Sequence, residues 1–86
     1  MKFIRKPAEA IVITTNKGDI RPYRIRYVDK DKTIVLKIDK ITKTEKIKEM
    51  GKDCIIFRCQ SEKGNVINIF EIKYELNDCK WTLLKI

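Results

Sequence analysis

Apolar and polar residues alternate along most of the chain with the two-residue period of half-buried β-strands. The pattern is clearest from Asn65 to Ile86, where two alternating runs flank Asn77-Asp78. Counting outward from that turn sets Leu76 against Cys79, Glu75 against Lys80, Tyr74 against Trp81 and Ile72 against Leu83. One face of this hairpin is then apolar and the other carries a charge pair. The same count sets Ile69 against Ile86, with Ile67 and Leu84 beside them, so the end away from the turn is apolar on both faces. Such a surface calls for a cover: Phe3 and Ile4, or Ile47 and Met50, of the same chain, or a second copy in a homodimer.

Four more strands precede this hairpin. Glu9 to Thr15 is followed by the turn Asn16-Lys17-Gly18-Asp19, where Gly18 suits a positive φ. Ile20 to Val28 puts Tyr23, Ile25 and Tyr27 in one phase and Arg24 and Arg26 in the other, with Pro22 near a strand start or an edge. Thr33 to about Lys43 holds Ile34, Leu36 and Ile38 in phase but Ile41 out of it, which predicts a β-bulge near Asp39-Lys40. The run Thr44 to Gly51 fits either one short helical turn over 45–50 or a strand continuing into a loop. Cys54 to Gln60 is the remaining strand, closed by a hairpin loop over Ser61 to Asn65. Short sequential connections make this a six-stranded antiparallel meander, which buries its core by curling into a small barrel or half-barrel.

Composition agrees with one folded all-β domain. Of the 86 residues, 43% are hydrophobic, and fifteen are isoleucines, whose branched side chains suit a pleated surface. No stretch has the length of a membrane span or the form of a signal peptide, and three cysteines without paired spacing fit a reducing compartment, so the expected location is the cytoplasm. The net charge is +8, from twenty Lys and Arg against twelve Asp and Glu. Most of the cations are scattered lysines, as on a solubilising surface.

Catalytic chemistry is hard to assemble from these residues. Histidine is absent, which removes the usual general base and the commonest metal ligand. Ser61, the one serine, has no adjacent base, and Cys54 and Cys59 fall in opposite phases of one strand, away from Cys79. The expectation is a non-enzymatic binding module with no cofactor and no metal. The named chemistry that remains is nucleic-acid binding along a basic stripe of Arg24, Arg26, Lys37 and Lys40. Stacking aromatics are the missing ingredient, since all but Phe3 fall in the core phase.

The run Gly18-Asp19-Ile20-Arg21-Pro22-Tyr23-Arg24-Ile25-Arg26-Tyr27, with Phe57 to Glu62, Phe70 to Leu76 and Cys79-Lys80-Trp81, resembles a group of small uncharacterised bacterial proteins. The resemblance implies a single β-rich domain and carries over no functional residue. The Arg24-Ile25-Arg26-Tyr27 strand is also similar to the Sm-like barrel of WYL domains. Lys80-Trp81-Thr82-Leu83 stands where a Trp-Tyr-Leu signature would be needed, so this second likeness is analogy.

Overall fold

The computed structural model describes residues 1–86. They form seven strands and no helix: β1 (Phe3–Thr14), β2 (Ile20–Asp29), β3 (Lys32–Lys37), β4 (Lys40–Glu49), β5 (Lys52–Lys63), β6 (Val66–Glu75) and β7 (Lys80–Lys85). All belong to one antiparallel sheet in the order β3-β2-β1-β7-β6-β5-β4. The sheet curls without closing into a barrel, so the expected six-stranded barrel or half-barrel becomes a seven-stranded open sheet.

The seventh strand comes from the segment around Ile38. The phase change there is a corner between two strands at opposite edges of the sheet, instead of a bulge within one strand. Ile38 N–H donates back to Tyr23 O at 2.8 Å, while Asp39 N–H donates forward to Gln60 O at 2.9 Å. Asp39 also takes the Glu62 N–H on its carboxylate at 2.7 Å, which pins the corner to β5. Residues 45–50 are strand and turn, not helix. Met50 and Gly51 both have positive φ, 52° and 78°, the conformation of a two-residue type I′ hairpin turn, and pairing with β5 overrides any local helical tendency. The loop expected over Ser61 to Asn65 shrinks to Gly64-Asn65, because β5 runs on to Lys63 against Val66.

The inner face holds Ile25, Tyr27, Ile38, Ile55, Phe57, Cys59, Phe70, Ile72 and Leu83 as one buried cluster. Trp81 packs against it, 4.6 Å from the Tyr74 ring and 5.8 Å from that of Phe57 between centroids. The β6–β7 register agrees with the sequence at Glu75↔Lys80, Tyr74↔Trp81 and Ile72↔Leu83, but the expected Leu76–Cys79 pair is absent. The turn spans all four residues from Leu76 to Cys79, with Cys79 at a φ of 54° and the Leu76 N–H donating to Asp53 O at 3.1 Å on the β5 side. Past Ile72 the register slips by one residue, because Leu84 is bulged and Glu71 faces Lys85.

Electrostatics accompany this slip. Glu71, 7% exposed, accepts from Arg58 Nε and Nη2 at 3.0 and 2.8 Å and lies 3.7 Å from Lys85 Nζ. A buried carboxylate needs such partners, and the bulge brings Lys85 alongside. The predicted apolar surface is therefore dismantled. Leu84 is buried, Ile86 exchanges backbone bonds with Lys2 at 2.7 and 2.9 Å, and Ile67 and Ile69 are left exposed without a β7 partner.

Candidate binding site

The open seam of the sheet holds the largest concavity. β3 covers β2 only from Arg24 to Asp29, so Ile20–Tyr23 has no strand outside it apart from the single bond to Ile38. β4 is the opposite edge and pairs only with β5. Between these uncovered stretches lies a cleft of about 810 Å³, walled by Gly18 to Arg21 on one side and by Ile41, Thr44, Lys46 and Ile47 on the other. Ile55, Phe57 and Leu76 supply apolar lining, and Cys54 and Asp53 complete that side.

Register explains three of the β4 side chains that reach the cleft, Ile47 opposite Cys54 being in the other phase. Ile41, Thr44 and Lys46 stand opposite Cys59, Phe57 and Ile55, residues of the inward phase of β5, and a register shift between Ile41 and Lys43 absorbs Thr42. A lysine on an inward position near an open edge is unusual for a sheet core and usual for an edge strand. Arg21, Lys40 and Lys46 take part in none of the nine ion pairs of the chain. Among the bordering carboxylates, Asp39 is committed to the corner and to Lys37 Nζ at 3.6 Å.

Nucleophilic chemistry finds no support in this cleft. Burial pushes up the thiol of Cys54, which lines the cleft; in the core outside the lining, burial followed by the nearby Glu71 charge pushes Cys59 up to about 12, so both sulfurs hold their protons at neutral pH. No group of three or more His, Cys, Asp or Glu side chains could hold a metal ion.

The basic stripe read from the sequence is split by the corner. Arg24 and Lys37 are direct cross-strand partners, and Arg26 is next along β2, opposite Val35 and Glu9. Lys40 belongs instead to the cleft. Arg26 is ion-paired to Glu9 and Lys37 to Asp39, which leaves Arg24 as the unpaired cation of the three. Ile11 and Val35, 64% and 54% exposed, interleave with these charges.

Tyr23 departs from its expected core position. The β1–β2 register passes from Ile11↔Arg24 to Val12↔Pro22, so Tyr23 is the extra residue of a bulge; Pro22 is buried and Tyr23 is 40% exposed, with the Arg21 guanidinium 5.8 Å from its ring centre. Pro22 was the available signal, because a proline inside a strand pattern marks a bulge or an edge. Phe3 is also exposed, under Arg5 and Lys85 at 5.0 and 4.4 Å. No known family matches the chain, and comparisons with curated proteins and with solved structures return no match.

Proposed function

We propose that this chain is a non-enzymatic binding module whose ligand enters the cleft at the open seam. The observation that supports this is the cleft itself, with apolar lining and a few unpaired charges, in the size range typical of small-molecule sites. Cores of curled sheets normally fill with their own side chains, whereas here Thr44 and Lys46 occupy inward positions and leave the space open. Three free thiols accompany the reading that it works in the cytoplasm.

The test uses anilinonaphthalene sulfonate, a probe with an apolar body and one anionic group. Saturable one-to-one binding is expected, with amide shifts at Ile41, Ile55 and Leu76, and Thr44→Trp should abolish it by filling the cleft. Shifts confined to residues outside the cleft would reject the reading.

A second reading, binding of single-stranded nucleic acid, is favoured by the exposure of Tyr23 and by the Arg24–Lys37 cross-strand pair. It expects affinity for an oligothymidine that falls steeply with salt, and a slope lessened by Arg24→Ala with Arg26→Ala. Binding whose salt slope ignores both arginines would reject it.

A further inference from the structure

The seam has a second property besides volume: it is bounded lengthwise by strand backbone. β4 has one neighbour, so half of its backbone donors and acceptors face away from β5, toward the uncovered start of β2. A strand laid there would meet those groups and turn alternate side chains into the cleft, the geometry of strand addition. Resting on the cleft as the binding site, we infer that its occupant is an extended acidic peptide that pairs along β4 between Lys43 and Lys48.

Charge selects the occupant. β4 carries Lys40, Lys43, Lys46 and Lys48 against Glu45 and Glu49, and Arg21 faces it across the cleft. Lys43 lies 3.9 Å from Glu45, and Glu49 is drawn to Lys73 at 3.6 Å, while Lys40, Lys46, Lys48 and Arg21 have no carboxylate within ion-pair distance. Lysines on an open edge repel basic and purely apolar strands, which is how edge strands avoid their own kind. The same lysines attract a strand with carboxylates at alternating positions, so one device supplies both rejection and selection. A second copy is disfavoured, because it would bring +8 against +8 and lysine against lysine along the edge. The bulge at Thr42 disturbs the start of β4, which confines regular pairing to the stretch beyond it.

The experiment measures fluorescence anisotropy of an end-capped, fluorescein-labelled heptapeptide alternating glutamate with valine. Controls are the lysine-for-glutamate peptide, the same peptide with proline at its centre, a heptaglutamate and an oligothymidine. The intact chain should bind the glutamate–valine peptide at least about tenfold more tightly than each peptide control, with new hydrogen-exchange protection on β4 amides. Lys46→Glu with Lys48→Glu, checked for retained circular dichroism, should weaken binding about tenfold or more.

Equal binding of the proline peptide would overturn strand pairing, and equal binding of heptaglutamate would reduce the interaction to charge. Oligothymidine protecting β4 in place of the peptide would overturn the choice of partner. Should the naphthalene probe bind in the cleft while the peptide does not, the binding module stands and this inference falls; if neither binds, both fall.

Discussion

Cys59 shows how burial, helped by a neighbouring carboxylate, sets a residue's chemistry. It lies in the core beside Phe57 and Phe70, and its thiol, ordinarily near 9.0, is pushed up to about 12. Below pH 9.0 the thiol is protonated whether the chain is folded or unfolded. Between 9.0 and about 12 the unfolded thiol ionises while the buried one keeps its proton, so the unfolded state gains and stability falls as pH rises. Cys54 is raised by burial too and acts in the same direction. Urea titrations across this range should give a shallower loss for Cys59→Ala than for the parent chain. An unchanged slope would mean that the Cys59 thiol ionises as readily in the fold as outside it.

Among the elements, the hairpin turns carry the clearest local strain. Lys30 and Asp31 join β2 to β3 with φ of 48° and 64°, so both central positions of a two-residue turn are left-handed without a glycine. L-residues with a Cβ pay roughly 1–2 kcal/mol each in that region, and asparagine followed by glycine fits a type I′ turn best. Replacing Lys30→Asn together with Asp31→Gly should therefore stabilise the chain by about 1 kcal/mol, read as a higher urea midpoint at constant slope. Asp29 tempers the gain. Its carboxylate is held below the ordinary range chiefly by its hydrogen bond from Lys6, 2.5 Å away, and also by the charge of Lys30, which the substitution removes. A midpoint that falls would show that the lost cation outweighs the relieved backbone.

For the molecule as a whole, charge and exposed edges act against each other. Val66–Phe70 has no partner on the β7 side, carries no charge, and exposes Val66, Ile67 and Ile69 at 59%, 56% and 45%. An uncharged open edge is a template for pairing between chains, and a net charge of +8 holds chains apart at low ionic strength. Raising the salt to about 0.5 M shortens the Debye length to a few ångströms and should promote self-association in sedimentation velocity. Ile69→Lys should suppress it while leaving circular dichroism unchanged, since the side chain it replaces is exposed. Association that persists in this variant would place the contact at another edge.

Local pattern determined the all-β class, the β6–β7 pairs Glu75↔Lys80, Tyr74↔Trp81 and Ile72↔Leu83, and the inward placement of Ile25, Phe57 and Phe70, because a two-residue period assigns faces wherever a strand is regular. Irregular places were decided in three dimensions. Ile38-Asp39 is a corner because its amides find acceptors on two different strands, Tyr23 turns outward because β1 and β2 slip past each other at Pro22, and Leu84 bulges so that Lys85 meets Glu71. The candidate site depends on these events. A cleft between two distant strand edges has no signature in the order of the chain, since Ile20 and Thr44 become its opposite walls only through the curl of the whole sheet. Alternation states which way a side chain points along one strand, and contains nothing about where two edges stop short of meeting.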